Sequence, residues 1–345
     1  MSPVSEFIRG MPKAELHMHI EGAIEPELMF ALAKRNGVDL PWSDIGELRA
    51  AYDFTGLQSF LGVFYQGLRV LVKGEDFYEL TSHYLRRAHD EKVLHCEIYV
   101  SPQAHLRRGI AFDTFMRGIT RAFAEAGERF GMTGGIILGF QRHLPEEDAF
   151  AVVGMAEPWR SHVLGFGLGG AEVGNPPAKY ERVFAECRAR GYRVVAHAGE
   201  EGPASYVSDA VDLLKVDRID HGVRCLEDPA LVRRLAHLGI PLTVCPCSNV
   251  KLGVFTRMAE HNLKKLLDAG LKVTVNSDDP SYFGAYVNAN YADAQDALGL
   301  TKRDLYRMAR NSFEASFLPE ARKRFYCEQV DGYWAGTGES DTARE

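Results

Sequence analysis

Eight short apolar runs, the helical stretches that part them, and the lack of a Gly-x-Gly-x-x-Gly after the first run together predict an α/β fold of the (β/α)8 TIM-barrel type. In chain order the predicted strands are Ala14–His19, Val93–Val100, Gly135–Phe140, Val163–Leu168, Arg193–Ala198, Arg218–His221, Pro241–Cys245 and Lys272–Asn276. Most are continuously apolar rather than alternating, as parallel strands covered on both faces require. Between them the spacing turns helical. Pro26 opens one helix, Leu28, Met29, Leu32 and Ala33 form its apolar face, and Asn36-Gly37 ends it. Thr301-Lys302-Arg303-Asp304 has the form of a capping box, with Asp in the place of the usual Glu or Gln.

The stretch from Gly37 to Glu91 is too long for a plain crossover. It predicts extra helices between strands 1 and 2, and Trp42, Phe54, Phe60, Phe64 and Tyr65 give them an apolar face that can also cover the barrel mouth. There is no internal repeat and no low-complexity linker. Residues 1–335 therefore read as one barrel domain, and the polar residues 336–345 as a flexible tail.

Composition excludes several functions. The 345 residues are 46% hydrophobic and 25% charged, with a formal net charge of −7 and no long Lys/Arg run. A nucleic-acid partner needs a basic footprint, so a small neutral or cationic ligand is expected instead. No window approaches a membrane span and no signal peptide opens the chain, so neither a membrane nor an export route is expected; the predicted location is cytoplasmic. Six scattered cysteines do not form a disulfide framework, and Cys245-Pro246-Cys247 has no second thiol pair, so these read as structural thiols. A homo-oligomer is compatible with the sequence.

The chemistry sits at strand ends. His17-Met18-His19 closes the first strand, and side chains at i and i+2 point to the same side, so two imidazoles can converge on one ion. His197 ends strand five, His221 ends strand six, and Asp278-Asp279-Pro280 follows strand eight. In this fold such ends assemble the active site at one rim. His17, His19, His197 and Asp278 can ligate zinc and leave a position for water, whose pKa falls from 15.7 to about 7 when it is bound. A binuclear site needs a bridging lysine, and strand four ends in Gly167-Leu168-Gly169-Gly170, so one Zn2+ per chain is expected.

The ordered set Pro12–Gly22, His197-Ala198-Gly199-Glu200, Asp220-His221-Gly222, Cys245-Pro246-Cys247-Ser248-Asn249 and Ser277-Asp278-Asp279-Pro280 resembles the adenosine/adenine deaminase family of the amidohydrolase superfamily over nearly the whole chain. The resemblance implies hydrolytic deamination of a 6-aminopurine, with hydroxide generated at zinc attacking C6. It implies Glu200 as the acid that protonates purine N1, and His221 as the group that orients the water or takes its proton. It also implies Asp279 as a hydrogen-bond partner of N7 and a backbone N–H from Gly170 to N3. Arg142 and His143 gain no role from it and read as structural.

Adenine-specific relatives carry Glu where Glu21 stands, and adenosine-specific ones carry Asp. A Glu there accepts a hydrogen bond from N9–H, which adenosine lacks. Free adenine, converted to hypoxanthine and ammonia, is therefore the expected substrate. Gly169-Gly170-Ala171 and Tyr99-Val100-Ser101-Pro102 depart from the adenine branch toward less polar or smaller groups. Those departures leave open an N6-substituted adenine of cytokinin type, adenosine, or another N9-substituted aminopurine. Two other classes stay open: a catalytically dead ligand-binding homologue, and a metal hydrolase acting on another amide or amidine.

Overall fold

The computed structural model describes residues 4–338. Eight parallel strands form one sheet in sequential order: β1 (Lys13–His19), β2 (Val93–Val100), β3 (Thr133–Gln141), β4 (Val163–Gly169), β5 (Arg193–Ala198), β6 (Arg218–His221), β7 (Leu242–Val244) and β8 (Val273–Val275). A bridge between Met18 and Asp278 brings the last strand back to the first, with Asp278 N–H donating to the His17 carbonyl (3.1 Å) and His19 N–H to the Asp278 carbonyl (2.8 Å). The sheet is a (β/α)8 barrel. Three strands match their predicted bounds residue for residue. β7 and β8 are each one residue shorter at both ends than predicted.

The helices form where the sequence signals them. The helix Pro26–Asn36 carries Pro at its start and ends on Gly37 in the left-handed conformation (φ 62°), which only glycine adopts without cost. Thr301 and Asp304 exchange the predicted capping bonds ahead of the helix Lys302–Glu314. The last helix runs Glu320–Gly336, one residue into the predicted tail; residues 339–345 of that tail lie outside the described residues.

Four helices follow β1 before β2: Pro26–Asn36, Ile45–Ala50, Leu57–Gly67 and Gly74–Asp90. The last is the crossover. The third lies over the rim, where Phe60 and Phe64 stack with Tyr282 and Phe283 at ring-centroid distances of 4.9–5.9 Å. These rings join the main core, so the roof is held by burial rather than by polar contacts alone.

The barrel interior is polar along one line. At its base the fully buried Arg218 donates to Glu97 (2.7 Å) and to the Leu16 carbonyl (3.0 Å). A buried pair of this kind contributes little net stability but is costly to break. Above it, the Tyr99 hydroxyl donates to Asp220, and Asp220 faces the histidines of the rim. No helix among the described residues is long and apolar enough to cross a membrane.

Candidate active site

β1, β5, β6 and the loop after β8 deliver the predicted side chains to one point. His17 Nε2 and His197 Nε2 stand 3.1 Å apart, and His19 Nε2 and His197 Nε2 stand 3.2 Å apart. Asp278 Oδ1 lies 3.3 Å from His17 Nε2 and 3.4 Å from His19 Nε2. Donors held about 2.0–2.1 Å from one ion stand roughly 3.0–3.4 Å from each other, so this spacing is that of a zinc coordination shell.

Hydrogen-bond direction gives an independent test of that fit. His17 Nδ1–H faces the Thr243 carbonyl at 3.2 Å, and His197 Nδ1 faces Asp220 Oδ2 at 3.3 Å. His17 thus holds its proton on Nδ1, and the Asp220 carboxylate, which lies near His197 Nδ1 without hydrogen-bonding to it, favours the same tautomer there, so that the two Nε2 lone pairs face each other. Two such lone pairs at this distance repel unless a cation lies between them. Burial pushes the His19 imidazole down to about 4, which leaves its lone pair free as well. The donor set suits a single Zn2+ per chain. His221 belongs to the same cluster, with its ligating atom within 4.8 Å of those of His17, His197 and Asp278.

Two of the strand-end residues, His221 and Asp278, have φ of 61°, a region that costs a non-glycine residue about 1–3 kcal/mol. The left-handed turn swings each side chain inward over the rim. Asp278 is anchored there by the Ser248 hydroxyl, which donates to Oδ2 at 2.7 Å. Burial alone would raise the Asp278 carboxyl, but the surrounding imidazoles, His17 foremost, pull it well below the ordinary carboxylate range.

The neighbouring acids behave in the opposite way. Burial, then the charges of Asp278 and Glu172, push the Glu200 carboxyl well above the ordinary carboxylate range. Burial, then Asp278 and Glu21, do the same to Asp279. Two carboxyls pushed upward thus flank one pulled downward, the pattern that separates acid from base roles in one site. Gly22 lets the turn after β1 lie against Asp279: a Cβ there would stand 2.1 Å from Asp279 Oδ1.

Glu21 is fully buried. Its Oε1 accepts from Ser101 N–H and from His105 Nε2–H, each at 2.8 Å, and its Oε2 has no partner. Burial would raise this carboxyl; His105 and the backbone N–H of Ser101 together outweigh that and keep it low. Gly170 has φ of 91°, so its backbone takes a conformation closed to most side chains. With Glu200, His221, Asp278 and Asp279 it lines a small pocket of about 60 Å³ roofed by Leu57, Phe60, Leu61, Phe64 and Tyr65. The aromatic stretch between strands 1 and 2 is thus both a small core and a roof.

Four residues that hold this site in place have no role readable from the chain alone. Glu172 accepts four backbone N–H groups, those of Gly199, Glu200, Glu201 and Gly202, at 2.7–3.0 Å, and so shapes the turn that presents Glu200. Asp220, beside His221 in sequence, faces His197 and accepts from Thr243 Oγ1 at 2.7 Å. Ser248 and Asn249 touch Asp278 and His221. A lone acid in a glycine-rich loop and an Asp preceding a strand-end His were the available signals. Arg142 is structural as expected, donating to the His197 carbonyl and the Asn175 carbonyl at 2.8 Å. All six cysteines are buried and free, in keeping with structural thiols.

A barrel rim that gathers three imidazoles and a carboxylate around one point, beside buried acids in a roofed pocket, defines a mononuclear metal-dependent hydrolase. The comparisons agree. The adenosine deaminase family profile matches residues 12–333. An adenine deaminase of Sphingopyxis alaskensis is 56% identical over 327 residues, covering 95% of this chain and 96% of its own. The crystal structure of an adenine deaminase from Arthrobacter aurescens superposes with a TM-score of 0.92 at 46% identity, covering 94% of this chain and all of that one. A zinc-bound amidohydrolase from Burkholderia ambifaria gives a TM-score of 0.89 at 28% identity, covering 96% and 94%. The chain belongs to the adenosine deaminase family, within the amidohydrolase superfamily, and is a purine-deaminating hydrolase.

Proposed function

We propose that the substrate is free adenine, hydrolysed to hypoxanthine and ammonia. The carrying observation is the buried Glu21 carboxylate, whose Oε2 has no partner in the protein. An N–H donor from the ligand satisfies it. Adenine offers N9–H at that edge, and a ribosylated purine offers none. The relatives named as adenine deaminases, at 46–56% identity, support the same reading.

In this reading His17, His19, His197 and Asp278 hold the zinc. When bound, the metal lowers the pKa of a water so that hydroxide is available near neutrality. Glu200 gives its carboxyl proton to N1, which draws electron density from C6 and opens it to addition. Asp279, protonated, donates to N7, which is an acceptor. The Gly170 N–H donates to N3, and Glu21 Oε2 accepts from N9–H. His221 faces the oxygen that adds to C6. One water is consumed, the C6–N bond breaks, and the amine leaves as ammonia.

The test is a set of initial rates with adenine, adenosine and N6-isopentenyladenine. Leaving a buried carboxylate unpaired costs about 1–3 kcal/mol, so kcat/KM for adenine should exceed that for adenosine by roughly five- to hundredfold. Equal rates with adenosine remove the N9–H assignment. Inactivity on all three, with zinc bound, removes the substrate class.

Asp220→Asn provides a check on the metal assignment. The variant keeps every proposed ligand but replaces the carboxylate that faces His197 Nδ1. Zinc affinity, measured by competition with a chromophoric chelator, should fall about 10- to 100-fold. Unchanged affinity would mean that Asp220 does not orient a ligand.

A further inference from the structure

A line of four groups runs outward from His221, and each sets the hydrogen-bonding sense of the next. It begins at a donor that cannot be reversed: the Leu263 backbone N–H donates to His261 Nδ1 at 3.0 Å. That nitrogen therefore carries a lone pair, and the proton of the neutral ring sits on Nε2. His261 is 3% exposed and packs against the Phe255 ring at 4.4 Å; burial drives its imidazole down to about 3, so the ring is neutral. His261 Nε2–H reaches Asn249 Oδ1 at 3.2 Å. The orientation of the Asn249 amide follows, because an NH2 group there would meet another N–H. Its NH2 then faces His221 Nδ1 at 3.2 Å and can only donate. His221 Nδ1 is thereby an acceptor.

We propose that Asn249 and His261 are positioning residues that hold His221 in its Nε2–H tautomer, so that His221 enters the reaction as a hydrogen-bond donor. The inference rests on the purine-deaminase reading for its catalytic meaning, but the tautomer stands on the hydrogen bonds alone. His221 is fully buried, and its Nε2 has no hydrogen-bond partner within the protein. That atom lies 3.6 Å from Glu200 Oε2 and 3.7 Å from Asp278 Oδ2, at the edge of the cavity. The ring's lone pair is on the other nitrogen, engaged by Asn249. His221 thus offers Nε2–H to the oxygen that adds at C6, holding it in place, and does not accept a proton at that atom. Of the two roles the family resemblance allows it, orienting the water is the one this tautomer permits.

Asn249→Asp tests the line with a change of one atom. The carboxylate still accepts from His261, but it now faces His221 with an acceptor and calls for Nδ1–H. In 15N-histidine-labelled, zinc-loaded protein without substrate, two-bond 1H–15N correlation should show His221 protonated on Nε2, the signal being assigned by its loss in His221→Gln. In Asn249→Asp the proton should move to Nδ1. There kcat should fall about tenfold or more, with KM and zinc content within about twofold. His261→Leu frees the amide to rotate and should lose activity, while His261→Gln, which keeps a donor near Nε2, should recover most of it. A wild-type His221 protonated on Nδ1 overturns the proposal, as does Asn249→Asp with unchanged kcat, or His261→Gln and His261→Leu impaired alike. The wild-type spectrum decides the matter even where a variant fails to fold. An Nε2–H signal in a protein inactive on adenine would leave the tautomer standing and remove only the substrate.

Discussion

Glu200→Gln is expected to bind zinc and purine as the wild type does and to lose kcat by about 10²- to 10⁴-fold. The substitution is nearly isosteric, and the turn that carries residue 200 is held from outside by Glu172, which accepts its backbone N–H at 3.0 Å and those of its neighbours. The cavity should therefore keep its shape. What is lost is a proton that can be given away: an amide N–H still donates a hydrogen bond to N1, but it does not transfer. Hypoxanthine affinity and metal content are the controls, and both should stay within about threefold of wild type. A variant that keeps more than about a tenth of wild-type kcat would take Glu200 out of the mechanism.

The same residue predicts the alkaline limb of the pH profile. Burial and the charges of Asp278 and Glu172 raise the Glu200 carboxyl well above its ordinary range, so the protonated form persists at higher pH than a free carboxyl allows. The reaction needs that form. Activity on this limb should hold while pH stays below the raised value and fall as pH rises through it. Glu172→Gln removes one of the charges that raise it, so the limb should move to lower pH. A limb that stays in place would show that Glu172 only shapes the turn.

The barrel was legible because its strands are buried on both faces and therefore apolar without interruption. β2, β5 and β6 could be read to the residue. The side chains that gather at the rim were legible for a related reason. Ionisable side chains at the ends of otherwise apolar strands have no structural purpose there, so their positions alone point to one rim. The supporting residues were not legible, because their function depends on which way they face. Glu172 looks like any loop acid until the turn after β5 wraps four amides around it. Asn249 sits in a recognised motif, yet its importance comes from His261, a residue with no motif at all. Glu21 is intermediate. Its identity suggested a purine contact, but only the structure shows one oxygen saturated by Ser101 and His105 and the other free.

Removal of one imidazole should be as severe as removal of the acid, for a different reason. His197 is the centre of the proposed ligand set, with its Nε2 3.1 Å from that of His17 and 3.2 Å from that of His19. In His197→Ala the remaining donors no longer enclose one position, so the purified variant should hold well under one equivalent of zinc. The metal supplies several kcal/mol of charge stabilisation, and each 1.36 kcal/mol is tenfold in rate, so kcat/KM should fall by about 10³-fold or more. Dialysis of the wild type against a strong chelator should reproduce that loss, and one equivalent of zinc should reverse it. Two equivalents needed for full recovery would contradict a mononuclear site. Stability separates metal loss from misfolding. A ligand that binds only the folded state stabilises by about 4 kcal/mol at a thousand times its Kd, so wild-type Tm should rise on adding zinc to the metal-free protein. In His197→Ala that rise should be absent, while a cooperative metal-free transition shows that the fold survives the loss of the buried ring.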